Sequence, residues 1–303
     1  ISDYAHAHIK SIDIEQAAKV PGVQAVITGD FSAGILTGTF LEDRPPIAIG
    51  KVRYYGEPVA VVVANSELQA ARAVQLIKIE YDPLPVVNSP SEAIKPNAQL
   101  LHENLADYRK VKECYPTEKT NIANHVKIRK GDMAQGWSQS EVIAEASYVL
   151  PQSDHLAMET RSARALIRED GNIIIHSTSQ SPYIIRKKLS RHFGIVAGKI
   201  IVHTPAVGGA FGGKAAVQLE MIAYLASKAV GGREVIIINS RTEDMISSPC
   251  RIGLEAKIKL GAAKSGVLKA VELTYLVDCG AYSDMGSVIT KSIAADCTGP
   301  YAI

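Results

Sequence analysis

A chain of 303 residues, 47% hydrophobic and 21% charged, has ordinary globular composition and is long enough for two hydrophobic cores. A formal charge of +2, with basic and acidic residues interspersed, argues against nucleic acid or an anionic membrane as a partner. No apolar run is long enough for a membrane span, and Cys114, Cys250, Cys279 and Cys297 lie too far apart for an iron–sulfur cluster or a structural zinc.

The scattered thiols and the lack of a secretory pattern are read as cytoplasmic. The start at Ile1, without Met, is read as the loss of an upstream segment.

Residues 1–85 read as a first α/β domain. Ile12 to Ala18 begins a short helix with Asp13 as N-cap, Pro21-Gly22 stops it, and Val23 to Thr28 follows as a strand. Pro58 to Ala64 is a near-continuous apolar run, as expected of a strand buried on both faces. Ser66 caps a helix carrying Glu67, Ala70, Ala71 and Val74, and the strand Ile77 to Tyr81 closes the domain. Residues 86–130, with Pro90, Pro96 and Pro116, read as an extended linker.

Residues 131–303 alternate again. Strands are expected at Ile173 to His176, Lys199 to His203 and Glu234 to Ile238, and helices at Ile184 to Phe193 and Val217 to Val230. Gly253 to Leu260 and Leu268 to Asp278 form a hairpin around Lys264-Ser265-Gly266. The fold class is mixed α/β (α+β).

The segment Val207 to Lys214 carries the strongest chemical signal. Its four glycines surround Phe211, and glycine allows positive φ and close approach of a ligand to the main chain. A loop of this kind opening a helix directs free N–H groups at an anion or an electron-rich oxygen. Its spacing is neither a Walker A loop nor GxGxxG, and a tight strand–helix connection without a ligand stays open on spacing alone.

Gln180, in the polar turn Ser177 to Pro182, carries both an amide donor and an acceptor. Glu159, in His155 to Arg161, is read as structural, paired to Arg161 or to a backbone N–H. Pro151 argues against a metal-binding helix there, and Cys250 is read as an inert thiol.

Taken in order, these segments resemble the molybdenum-binding subunit of the xanthine dehydrogenase and aldehyde oxidase family. The resemblance runs from Ala5-His6-Ala7 through Lys51 to Ala60, Glu80 to Pro85, Gly131-Asp132, Glu159 and Ser177 to Pro182. It continues through the glycine loop, Arg241 to Asp244, Asp278 to Tyr282 and Gly299-Pro300-Tyr301. It implies a hammerhead α/β domain over 1–85, then an incomplete molybdopterin-binding α/β domain over 131–303.

The resemblance places Gln180 beside the molybdenum, and Gly209, Phe211 and Gly212 in the loop facing the metal and its dithiolene. No residue here is a direct metal ligand. Family members hydroxylate an aldehyde or N-heterocycle carbon using water, with a glutamate base. Electrons leave through iron–sulfur centres and usually FAD, expected on partner chains.

Several family features are not found. The later Ala-Phe-Arg-Gly loop and the Gly-Glu segment bearing the base do not occur, so no catalytic base is assigned and the chain alone is expected to be inactive. The remaining molybdopterin-binding portion is therefore an expected partner. On the substrate side, Ala215 stands where animal xanthine oxidoreductases have Glu, and Ser292, beside Lys291, where they have Arg. Glu220 is a candidate replacement for that carboxylate, although a structural role is favoured. The competing reading is a non-catalytic scaffold or fragment that keeps the fold without the cofactor.

Overall fold

The computed structural model describes residues 1–301 and 303. From the N-terminus come β1 (Ala7–Asp13), α1 (Glu15–Ala18), β2 (Val23–Thr28), β3 (Lys51–Val52), β4 (Ala60–Ala64), α2 (Glu67–Val74) and β5 (Lys78–Pro83). Next are α3 (Pro90–Ala93), α4 (Met133–Ser138) and β6 (Val142–Leu150). Then follow β7 (Ser162–Ile167), β8 (Ile173–Ser177), α5 (Pro182–Phe193), β9 (Ile200–His203), α6 (Leu219–Ala229), β10 (Val235–Ile238) and α7 (Arg241–Ser247). The hairpin β11 (Gly253–Ala262) and β12 (Leu268–Asp278) precedes α8 (Gly286–Asp296).

Two compact units form, and neither is contiguous in sequence. The first contains Ile1–Thr37, Arg44–Val86 and Asp154–Cys250, and the second Gly38–Asp43, Val87–Ser153 and Arg251–Ile303. From Val87 on, the stretch read as a linker groups with the second unit. There Ser89 caps α3 by accepting the Glu92 N–H, with Pro90 in the first turn, where its missing N–H costs nothing.

In the first unit β1 lies between β3 and β5, β2 pairs with β4, and the main sheet runs β10-β7-β8-β9. Helix α5 makes the crossover between the parallel strands β8 and β9, and Gly194 ends it in the left-handed conformation. Helix α6 packs against β7, whose inward residues are Ala163 and Ala165. These small side chains leave room for Met221, Ile222 and Leu225, in one core with Ile27, Ile47, Ile175 and Leu189.

The structure departs from expectation at two elements here. Ile12 and Asp13 belong to β1, because pairing with Ile79 and Lys78 of β5 holds them extended. Helix α1 therefore starts at Glu15, although the Asp13 carboxylate still accepts its N–H at 2.9 Å. Strand β4 is not buried on both faces: only Val63 is buried, because its ladder has just two strands. The cap at Ser66, strand β2 and the hairpin pairing are as expected.

The second unit is built on the antiparallel sheet β12-β11-β6. Helix α4, capped by Asp132, packs on β12. Strand β6 is an edge strand, and all nine of its residues are exposed. No helix among the described residues is long and apolar enough to cross a membrane.

Candidate functional site

The site lies in the first unit, where the turn after β8 meets the loop after β9. Ser162 N–H donates to Thr178 Oγ1 at 3.1 Å and Ser162 O accepts from Thr178 N–H at 3.2 Å, fixing the turn to the start of β7. Gln180 N–H and Ser179 Oγ both donate to Lys214 O, at 3.0 and 3.1 Å. The turn and the glycine loop, far apart in sequence, are therefore directly bonded. The side chain of Gln180 is exposed and forms no hydrogen bond among the described residues.

The loop is not the helix N-terminus expected from its position. A turn of 3₁₀ helix at Gly213–Ala215 and an extended Ala216 separate it from α6, which starts at Leu219. Its donors are free for another reason. The main-chain N–H groups of Gly209, Ala210, Phe211 and Gly212 have no acceptor among the described residues. Gly209 and Gly212 have φ of 100° and 93°, and even Phe211 is left-handed at 53°. Phe211 is 75% exposed, so its ring contributes a surface rather than a core contact.

Both flanks of the loop are held by charged side chains. Glu159 Oε2 accepts from Lys214 Nζ and from Gly208 N–H, each at 2.8 Å, and Glu159 N–H returns a bond to Gly208 O at 3.1 Å. Burial tends to raise the Glu159 pKa, but the Lys214 ammonium and the Gly208 N–H outweigh it and hold the carboxyl below its usual value. Of the two partners expected for Glu159, the backbone N–H is therefore correct.

Arg161 pairs instead with Asp244 at 3.1 Å and donates to Gly213 O at 2.7 Å. Burial again opposes ionisation of Asp244, and the Arg161 main-chain N–H and guanidinium, with Asn239, prevail and lower its pKa. Arg241 donates to the carbonyls of Ala157 and Met158, steadying the stretch of chain that carries Glu159.

Two of the loop glycines are required by packing. A Cβ at Gly208 would lie 2.7 Å from Glu159 Cβ, and one at Gly213 would lie 2.8 Å from the His155 ring. Side chains of the protein thus press closely on both ends of the loop.

Of the substrate-side candidates, Ala215 and Glu220 belong to the first unit and Ser292 to the second. Ala215 is half-buried within the 3₁₀ turn. Glu220 is buried, with Oε1 accepting from Ser177 Oγ at 2.5 Å and Oε2 from Gln218 N–H at 3.1 Å. Burial raises its pKa, against the pull of these bonds and of Lys188. Lys291 and Ser292 are both exposed on α8, in the second unit. Burial also pushes the Cys250 thiol up, away from a reactive thiolate.

Lys214, Asp244 and Ser179 have no role assigned from sequence, and Arg161 is expected there only as a partner of Glu159. Only Asp244 carries a local signal, following directly on the capping box formed by Ser240 and Glu243. No group of three or more metal-ligating side chains occurs among the described residues. The residues present suit an electron-rich ligand held by main-chain donors.

Known proteins resemble this chain along its whole length. Residues 1–85 match the aldehyde oxidase and xanthine dehydrogenase a/b hammerhead domain, and residues 114–303 match the molybdopterin cofactor-binding domain. The chain is 34% identical over 304 residues to a probable xanthine dehydrogenase subunit of Bacillus subtilis, covering 100% of this chain and 38% of that one.

It is 25% identical to the nicotinate dehydrogenase large molybdopterin subunit of Eubacterium barkeri, covering 100% of this chain and 68% of that protein. The solved aldehyde oxidoreductase of Desulfovibrio gigas superposes with a TM-score of 0.83 at 26% identity, over 95% of this chain and 31% of that one. The chain thus spans well under half the length of most of these relatives. It belongs to the aldehyde oxidase and xanthine dehydrogenase family of molybdopterin-binding proteins.

Proposed function

We propose that this chain forms one wall of a molybdenum–molybdopterin site in an oxidative hydroxylase. The substrate is the carbon of a purine-like N-heterocycle or of an aldehyde, with water as the oxygen source. The observation that carries this reading is the run of four unbonded main-chain N–H groups at residues 209–212, tied through Lys214 to the turn bearing Gln180. The bound cofactor would supply the two-electron redox centre.

The chain's own residues bind and orient. Gly209, Ala210, Phe211 and Gly212 offer N–H donors to the electron-rich atoms of the cofactor, and Gln180 offers a donor and an acceptor beside them. The exposed Phe211 ring gives an apolar wall that excludes water from one side. Neither nearby carboxylate is free to take a proton: Glu159 is held ionised by Lys214, and Glu220 is buried in its own hydrogen bonds.

The general base is accordingly placed on another part of the polypeptide or on a partner, and this chain alone is inactive. Iron–sulfur centres and FAD reside on partner chains, and the assembly is cytoplasmic. Ala215 offers no carboxylate for purine recognition, which favours a substrate held by other contacts.

The test is Gln180→Ala and Phe211→Ala in the complete enzyme, assayed with purines, nicotinate and aldehydes and an electron-accepting dye. Loss of kcat/KM by about ten-fold or more is expected in each variant. Wild-type turnover in both would defeat the proposal.

A further inference from the structure

We infer that Lys214 and Glu159 are positioning residues that hold the open donors of the loop at a set distance from Gln180, and that Lys214 is not itself a ligand of the cofactor. The inference rests on the functional reading above. A lysine closing a glycine-rich loop invites the opposite assignment, because in phosphate-binding loops such a lysine reaches the bound anion.

The geometry here points inward. The Lys214 side chain is only 2% exposed, and its ammonium lies 2.8 Å from Glu159 Oε2. That same oxygen accepts the Gly208 N–H, at the other end of the loop. The carbonyl of Lys214 takes the bonds from Gln180 N–H and Ser179 Oγ. One chain of contacts therefore runs from Gly208 through Glu159 and Lys214 to Gln180.

The free donors at 209–212 lie inside this ring of contacts and make none of them. Moving Lys214 Nζ onto an outside anion would leave Glu159 without its counter-charge and weaken its hold on Gly208. An ammonium has three donors, so the exclusion of a second role rests on burial: at 2% exposure the Lys214 side chain turns its charge to Glu159 rather than to the open side of the loop.

The experiment measures pterin content per polypeptide, by fluorescence after oxidative release, in the complete enzyme and its variants. Chymotryptic cleavage after the exposed Phe211 is measured alongside, as a readout of loop order. Glu159→Gln and Lys214→Met should each lower pterin content about five-fold and speed cleavage at Phe211. The double variant should be no worse than either single one, because both remove the same contact. Lys214→Arg should restore most of the pterin.

Normal pterin in Glu159→Gln beside loss in Lys214→Met would overturn the inference and make Lys214 a direct ligand, as would multiplied losses in the double variant. Should Lys214→Met fail to melt cooperatively, Glu159→Gln against Lys214→Arg carries the same contrast. If the wild-type enzyme holds no pterin, the cofactor reading fails. The cleavage rates then decide the clamp on their own: equal, non-additive acceleration upholds it and unchanged rates end it.

Discussion

Two glutamates on either side of the glycine loop live in opposite environments. Glu159, its side chain about one-third exposed, faces a buried ammonium and stays ionised. Glu220, buried in the first turn of α6, is met by a hydroxyl and an amide, and burial drives it toward the neutral form. A carboxylate can hold a loop in place when a full counter-charge comes with it. Where burial outweighs neutral donors and the pull of a cation such as Lys188, the same group becomes part of the core.

The largest effect that could break this contrast comes from the pair beneath the loop. Asp244 accepts from the Arg161 main chain and guanidinium and from Asn239, and is 2% exposed. Asp244→Asn leaves the Arg161 charge without its partner and should cost about 3 kcal/mol in chemical denaturation. A change under about 1 kcal/mol would mean that the guanidinium finds another anion.

Glu159→Gln comes next, at about 1.5 kcal/mol, since it keeps an acceptor for Gly208 but removes the charge facing Lys214, and solvent already screens part of that pair. Its pH behaviour sharpens the comparison. A carboxyl whose folded pKa is depressed contributes stability above its ordinary value, here 4.5, and loses it as pH falls through the folded value. The thermal midpoint of the wild type should therefore drop more steeply below about pH 4.5 than that of Glu159→Gln.

Glu220 should show the reverse sign. Its folded pKa is raised, so its contribution is complete below 4.5 and is lost as pH rises through the folded value. Glu220→Gln should change stability by no more than about 1 kcal/mol at pH 7 and flatten the decline on the alkaline side. A steeper decline would show that Glu220 is ionised in the native state. The smallest effect belongs to Phe211→Ala, within about 0.5 kcal/mol by thermal melt, because the ring is three-quarters exposed. A large loss there would mean that the ring packs against the protein.

Elements governed by local chemistry are legible in the sequence. Ser66 before an apolar period, Gly194 after Phe193 and the Lys264-Ser265-Gly266 turn each act within a few residues. Strands β1, β6 and β7 carry no such signal, for distinct reasons. The inward positions of β7 are alanines, too small to mark an apolar face, and β1 alternates around charged residues. Strand β6 buries nothing and has no inward face to read.

At the site, the glycine loop and Gln180 stand out by residue type and by family resemblance. The contacts from Glu159 to Lys214 and from Arg161 to Asp244 join residues far apart in sequence, and no local pattern announces them. Pairing Glu159 with its near neighbour Arg161 is plausible by spacing. It is excluded in the fold because the guanidinium is taken by Asp244.

Strand β6 has a practical consequence for handling the protein. Its edge of the sheet carries Val142, Ile143, Tyr148, Val149 and Leu150, and Glu145, tied to Lys259 at 2.8 Å, is its one charge. That single gatekeeper stands between this segment and the templated stacking that seeds fibrils. A preparation in which Glu145 is neutralised should turn turbid at lower concentration than the parent.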